Sequence, residues 1–250
     1  MSLDALLAAQ DSADGLVFVE QKVAELAIEP REFALAALDP CLREARRAAA
    51  KSVPAETLER FAAVYTNPEA AVNAVRNHVK WLCEPREPAA TTALWVGGRS
   101  MDGDAVIVLE SEEWHPWEFG DTNAECSKAW CDAAAHCFDV ACRVADAPLG
   151  SGKFVILVRM SDRRSLLRPV ALRCVYAVVG LLDHYPGRLA RAYLLGAPPL
   201  FATAWAVIRH WLDQDTLDRT VFVPPDDVQA TIRAFPLGKP PRDFFKDPEK

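Results

Sequence analysis

The sequence predicts an α/β fold with a mixed β-sheet floor, covering helices and a helical amino-terminal subdomain. Three observations predict it. Beyond about residue 105, short apolar runs rich in β-branched residues alternate with longer segments of helical periodicity, which is typical of strands joined by crossover helices. Before about residue 84 only helical periodicity is visible. Hydrophobic residues make up 51% of the 250, which is enough for a packed core.

The amino-terminal part of the chain is predicted to be helical throughout. Apolar residues recur at three- and four-residue steps from Leu16 to Leu26, and the pattern continues in residues 33–51. Pro54 begins a further helix, and Asn67-Pro68 is typical of an N-cap followed by proline at the first helical position. Prolines 85 and 88 then indicate a linker. We expect a helical subdomain over residues 1–88.

The second part of the chain alternates between strand and helix. Predicted strands cover residues 105–109, 154–158, 192–195 and 220–223, and predicted helices cover 123–145, 169–184 and 200–211. Asp102-Gly103 indicates a turn, and therefore a hairpin or strand entry, before the first strand. We expect an α/β domain over residues 89–235. Prolines and charges in residues 236–250 predict an extended tail.

Composition excludes several classes of partner. The net charge of −7 argues against nucleic acid and against strong electrostatic attachment to anionic bilayers. The odd number of cysteines, seven, and the lack of a basic residue in positions 1–15 favour a reducing cytoplasm. The longest uncharged stretch, 192–208, contains Gly196, Pro198 and Pro199 and is short for a membrane span. A neutral or apolar partner fits these facts best.

Four cysteines between residues 126 and 142, with His136 among them, raise the question of a metal site. On a helix, Cys126 and Cys137 share one face and Cys131 and Cys142 another, with about 16 Å between the members of each pair. Four such ligands cannot reach one zinc ion, because zinc–sulfur bonds are about 2.3 Å long. We therefore expect no metal here, and an apolar stripe formed by Cys126, Trp130, Ala134, Cys137, Ala141 and Val144.

No enzyme signature stands out. Residues 150–153 (Gly-Ser-Gly-Lys) resemble part of a phosphate loop, but Ala147 and Phe154 break the pattern and a strand follows where a helix is required, so we expect a tight turn. Five histidines are scattered singly, and no catalytic residue or cofactor site is predicted. Residues 112–118 contain two tryptophans, which indicates either a ligand- or partner-facing loop or aromatic packing over a sheet edge.

Residues 184–223 carry the strongest signal. A helix ends at Tyr185-Pro186, a buried strand follows, and a proline turn leads into a helix that is apolar over most of its surface. Phe201, Trp205, Ile208 and Leu212 form one stripe of that helix. Such a helix requires an apolar partner, for which a bound lipid, a membrane surface or another protein could serve.

This segment resembles the central signature of the CRAL-TRIO domain family, the fold of lipid transfer proteins. The signature comprises a helix end of the Tyr-Pro-Glu-Arg-Leu type, a strand ending in an Asn-Ala-Pro-like turn, and a helix with a phenylalanine and a tryptophan. The matching residues are Tyr185-Pro186, Arg188-Leu189, Ala197-Pro198, Phe201, Trp205, Ile208, Leu212-Asp213 and Thr216. The similarity extends over about residues 55–223.

The resemblance implies an apolar pocket whose floor is the sheet and whose gate is the helix at 200–212. Candidates to contact acyl chains are Val106, Val108, Phe154, Ile156, Tyr193, Leu195, Phe201, Trp205 and Ile208. Arg219 and Ser165 are candidates to contact a polar headgroup. The family's glutamate and lysine for phosphoinositide recognition correspond here to Gly187 and Arg219, which leaves the lipid class open.

Two functions from different classes remain. The first is binding and transfer of a hydrophobic ligand, such as a phospholipid, by a cytoplasmic protein in transient contact with membranes. The second is a non-catalytic scaffold of the same fold, whose apolar surface binds a protein partner and whose pocket is filled by its own side chains.

Overall fold

The computed structural model describes residues 53–65, 67–88, 90–160, 168–235 and 237. The chain divides into two compact units between Pro85 and Arg86. Helices predicted between residues 16 and 51 lie outside the described residues, as does the predicted tail over 236–250 apart from Leu237. The predicted α/β class with a mixed sheet is confirmed.

The first unit contains a helix pair, α1 (Ala55–Val64) and α2 (Pro68–Cys83). The Asn67 side chain accepts hydrogen bonds from the backbone amides of Glu69 (2.8 Å) and Ala70 (3.3 Å), which confirms the predicted N-cap. Phe61 is fully buried and packs on His78 with their ring centroids 5.3 Å apart.

The second unit is built on a five-stranded sheet in the order β1-β2-β3-β4-β5. Only β1 and β2 are antiparallel, and the other pairs are parallel. The strands are β1 (Leu94–Arg99), β2 (Ala105–Glu110), β3 (Phe154–Arg159), β4 (Leu189–Leu195) and β5 (Thr220–Val223). Strand β1 was not predicted, because two glycines and a register shift after Val96 interrupt its alternation.

Three helical connections cover one face of this sheet. Because the parallel strands follow one another in sequence order, right-handed crossovers place every connecting helix on the same side. A capping box formed by Thr122 and Glu125 begins the first of them. The helices of this unit are α3 (Asn123–Asp146), α4 (Pro169–Leu181), α5 (Phe201–Ile208), α6 (Gln214–Asp218) and α7 (Val228–Arg233).

The opposite face of the sheet is covered by α7 and the residues that follow it. Val228, Ile232 and Leu237 pack there on a cluster of buried side chains. That cluster comprises Trp95, Val106, Val108, Val155, Leu157, Leu195 and Val223. Burial on both faces explains why β2 and β3 are apolar at nearly every position instead of alternating with polar residues.

The cysteines of α3 and residues 150–153 are the segments for which a metal site and a phosphate loop were considered. Cys126 and Cys137 of α3 are buried in the core, and within the described ranges no group of three or more candidate ligands could hold a metal ion. The turn lies just before residues 150–153: Gly150 N donates to the Ala147 carbonyl at 2.9 Å, and Gly150–Lys153 then lead into β3. A Cβ at Gly150 would lie 1.9 Å from the Ala145 carbonyl oxygen, so the turn requires glycine. None of the helices described is both long and apolar enough to cross a membrane.

Candidate functional site

An apolar cavity of about 190 Å³ lies between the helix-covered face of the sheet and helices α3, α4 and α5. Alternate residues of the central strands form its floor, because side chains on a strand point to opposite faces in turn. The floor residues are Leu94, Ile107, Leu109, Ile156, Val158, Leu189, Ala192, Leu194 and Thr220.

Helical residues form the walls and roof of the cavity. They come from α3 (Trp130, Ala134, Phe138), from α4 and the turn after it (Val175, Val178, Val179, Leu182), and from α5 and beyond (Phe201, Trp205, Ile208, Leu212, Thr216). Ser111, Trp114 and Met160 complete the lining. No lining side chain within the described part of the chain carries a charge, so this space suits a neutral, apolar occupant.

Four of the nine residues predicted to contact acyl chains line this cavity: Ile156 of β3, and Phe201, Trp205 and Ile208 of α5. Leu212, which the sequence placed in the same helical stripe, lines it too.

Four other residues predicted to contact acyl chains do not line the cavity. Val106, Val108, Tyr193 and Leu195 belong to the packed core on the opposite face of the sheet. The register explains the difference: Ile156 pairs with Ile107 and Ala192, whereas Val106 pairs with Val155. Within one strand, alternate side chains point to opposite faces of the sheet. The pairing register then decides which side chains of the neighbouring strand lie on the same face.

Phe154 is the ninth predicted residue, and it is fully buried without lining the cavity. It packs against Phe138, with ring centroids 5.2 Å apart, and against Tyr185 at 6.5 Å in a T-shaped arrangement. Phe138 stands between this aromatic cluster and the cavity, because it also belongs to the cavity wall. Phe154 therefore supports the cavity wall through its contact with Phe138.

Trp114 and Trp130 are cavity residues that were not predicted as site residues. Their rings are 5.4 Å apart, and both side chains are 3% exposed. The two tryptophans of residues 112–118 have different roles: Trp114 lines the cavity, whereas the guanidinium of Arg168 lies over the Trp117 ring at 4.4 Å. The tryptophan-rich segment was the available signal, and its aromatic-packing alternative describes the contact of Trp114 with Trp130.

Helix α5 lies over the cavity and packs on the sheet through apolar side chains. Phe201, Ala204 and Ile208 are buried against Leu194. The Trp205 ring meets Phe222 of β5 in a T-shaped contact at 5.0 Å. The other side of the helix faces outward, where Val207 is 45% exposed.

The motif that joins α4 to β4 has a structural role. The Tyr185 hydroxyl donates to the Asp139 carboxylate at 2.7 Å. The Arg188 guanidinium pairs with both carboxylate oxygens of Asp146 and donates to the Gly152 carbonyl at 2.9 Å. Gly187, which stands where the family has glutamate, has φ +66°, a left-handed conformation that favours glycine. These contacts fix the corner from which β4 departs.

Of the two residues predicted to contact a headgroup, the structure describes Arg219. Arg219 donates through Nε and Nη2 to Asp215, at 2.8 Å each, and through Nη1 to the Leu189 carbonyl at 2.9 Å. These hydrogen bonds from Arg219 lower the pKa of Asp215 and tie the end of α6 to β4. Ser165 lies outside the described residues.

Below neutral pH we expect His184 to destabilise the fold. Burial, with a smaller effect from the charge of Arg86, lowers the pKa of His184 from 6.5 to about 4. Between these values the unfolded chain binds a proton that the folded chain does not, so stability decreases as pH falls. We expect a loss of about 1–2 kcal/mol, because residual exposure of the ring screens part of the effect.

Urea unfolding at about pH 7 and about pH 5 measures this contribution. The His184→Gln variant should lose less stability than the wild type between the two pH values. Equal losses would show that His184 does not titrate with a lowered pKa.

Comparisons with known proteins agree with this geometry. The family model described as CRAL/TRIO domain matches residues 91–236, more than half of the chain. The solved structure titled "Crystal structure of Sfh5" is similar with a TM-score of 0.59 and 11% sequence identity, over 78% of this chain and 81% of that one. At this identity the likeness establishes the fold alone. A search of curated proteins finds no match to the sequence.

Proposed function

The chain belongs to the CRAL/TRIO family of lipid-binding domains, and from this membership we propose that it binds and transfers one hydrophobic ligand, a lipid, in the cavity beneath α5. One observation carries the proposal: the stripe predicted to form the gate, Phe201, Trp205, Ile208 and Leu212, lines an uncharged cavity over the sheet. The ligand would be held and released without a covalent step.

Burial of hydrocarbon is sufficient to hold such a ligand. Each methylene removed from water contributes about 0.8 kcal/mol, so a single acyl chain can bind well without any ionic contact. An ionic contact from Arg219 is therefore not needed, and Arg219 already donates hydrogen bonds to Asp215 and to the Leu189 carbonyl. Headgroup recognition by Arg219 would require it to leave Asp215.

The size of the cavity supports a mobile gate. Its volume of about 190 Å³ is below the ~300–1,000 Å³ of pockets that enclose drug-sized ligands. A phospholipid with two acyl chains therefore requires outward movement of α5. We propose that α5 swings away from Phe222 when the ligand enters and closes over the hydrocarbon afterwards.

Exposed apolar side chains near the gate fit a transient contact with membranes. Leu200 and Val207 are each 45% exposed, and Phe222 is 46% exposed. With a net charge of −7, we expect a cytoplasmic protein to approach a bilayer through such side chains more than through electrostatic attraction. The membrane would lie next to the opening through which the lipid passes.

Transfer between vesicles tests the proposal. Donor vesicles containing a self-quenched fluorescent acyl lipid are mixed with unlabelled acceptor vesicles and the full chain. We expect dequenching at a rate proportional to protein concentration, and no dequenching with an unrelated protein of similar size and charge. If neither transfer nor bound lipid is detected, the proposal fails and the scaffold function is favoured.

A further inference from the structure

The tryptophan-rich segment places the side chain of Trp114 in the lining at one end of the cavity. Strand β2 ends at Glu110, and a turn follows in which Trp114 N donates to the Ser111 carbonyl at 3.4 Å. This turn brings the Trp114 ring onto Trp130 of α3 and into the cavity lining. Trp114 therefore lies just beyond the carboxyl end of β2.

The indole nitrogen of Trp114 is buried and has no hydrogen-bond partner within the described ranges. Buried polar groups in proteins are almost always paired, so an indole N–H left without an acceptor in an apolar site is unfavourable. The two threonine hydroxyls of the lining are already used. Thr216 Oγ1 donates to Asp213 at 3.0 Å, and Thr220 Oγ1 donates to the Thr216 carbonyl at 2.8 Å.

We propose that Trp114 Nε1 donates a hydrogen bond to a neutral acceptor on the ligand, such as an ester, ketone or aldehyde oxygen. This inference rests on the proposed function and specifies the ligand further. A neutral acceptor is required because no described side chain of the lining carries a charge to compensate an anion. Trp114 thereby distinguishes a lipid with a carbonyl group from a plain hydrocarbon.

The same contact sets the direction of the ligand. Trp114 follows the carboxyl end of β2, whereas Thr220 begins β5, the last strand on the other side of the sheet, and is level with Ile107 in the middle of β2. The polar end of the ligand would lie against Trp114. Its hydrocarbon would extend beneath α5 towards Ile208 and Thr220.

Trp95 supplies a matched control within the same domain. Its indole nitrogen is also buried and has no partner among the residues described. Trp95 belongs to the core on the opposite face of the sheet and does not line the cavity. Replacing either tryptophan with phenylalanine removes an unpaired N–H and keeps an aromatic ring, but only Trp114→Phe changes a residue of the cavity lining.

The test compares two probes that differ by one acceptor group. Methyl palmitate carries an ester, and the straight-chain alkane of equal main-chain length carries none. Binding of both to the full chain is measured by co-elution and gas chromatography with mass spectrometry. We expect the wild type and Trp95→Phe to prefer the ester about tenfold, and Trp114→Phe to bind both probes equally.

The outcomes separate this inference from the proposed function. A folded Trp114→Phe variant that keeps the preference for the ester would overturn the role of Trp114 and leave the lipid-binding proposal intact. If the wild type takes up neither probe, or binds both equally, this inference is overturned, while the vesicle transfer assay decides the proposed function separately.

A second measurement needs no substitution that could prevent folding. In protein labelled with ¹⁵N-tryptophan, the indole N–H signal of Trp114 should shift downfield with methyl palmitate and not with the alkane. Binding of methyl palmitate without that shift contradicts the hydrogen bond.

Discussion

Replacement of Trp205 by aspartate is expected to abolish lipid uptake while the domain stays folded. Trp205 lines the cavity and is only partly buried, so its loss removes little of the core. A carboxylate at this position would face a cavity whose described lining offers no cation, and burying an unpaired charge costs several kcal/mol. The closed, loaded state would therefore be disfavoured, and we expect uptake to fall at least tenfold.

Ala206→Asp is the matched control for this prediction, because it places the same charge at an exposed position of the same helix outside the cavity lining. Uptake measured after separation from vesicles, with circular dichroism to verify folding, should be retained by Ala206→Asp. Normal uptake by a folded Trp205→Asp variant would show that α5 does not close the cavity.

Phe154→Ala should have the largest effect on stability, a loss of about 3–5 kcal/mol. Phe154 is fully buried in the central strand β3 and packs on Phe138 and Tyr185. Removing its ring would leave a void that these two rings cannot fill without moving. Denaturant unfolding of the variant and the wild type measures the difference.

Met101→Ala serves as the comparison for Phe154→Ala, because Met101 is 97% exposed and its truncation should change stability by less than about 0.5 kcal/mol. The sequence placed Phe154 among the residues that contact lipid, whereas the structure gives it a supporting role. A Phe154→Ala variant with nearly normal stability and no lipid uptake would favour the sequence-based assignment.

Much of the fold could be predicted because its signals are local. The four predicted strands agree with β2–β5 to within three residues at each end, and Asn67 caps α2 as expected. Strand β1 was missed, since Gly97 and Gly98 contribute no side chains to an alternating pattern. Helix α7 was also missed, because six residues are too few to show a periodicity.

The helix and the sheet differ in how much of the cavity lining the sequence can indicate. The periodicity of α5 determines which side chains share a face, and Phe201, Trp205 and Ile208 all line the cavity. On the sheet, Val106 and Tyr193 lie on the face opposite the cavity, since pairing between strands is a tertiary property that the sequence pattern does not show.

Trp114 illustrates what a motif leaves undetermined. Its position beside Trp130 depends on a turn after β2 and on the packing of α3, which begins nine residues further along the chain. The sequence could identify the tryptophan-rich segment but not which of its rings enters the cavity. Gly187 and Arg219 show the converse: both departures from the family pattern were visible in the sequence, and their structural roles became clear only in the fold.

Mass spectrometry of an organic extract from the purified full chain, beside an unrelated protein prepared in the same way, tests lipid binding most directly. We expect one class of lipid in near-equimolar amount, with a carbonyl or similar neutral acceptor. An extract that matches the control, both before and after incubation with mixed vesicles, would contradict lipid binding.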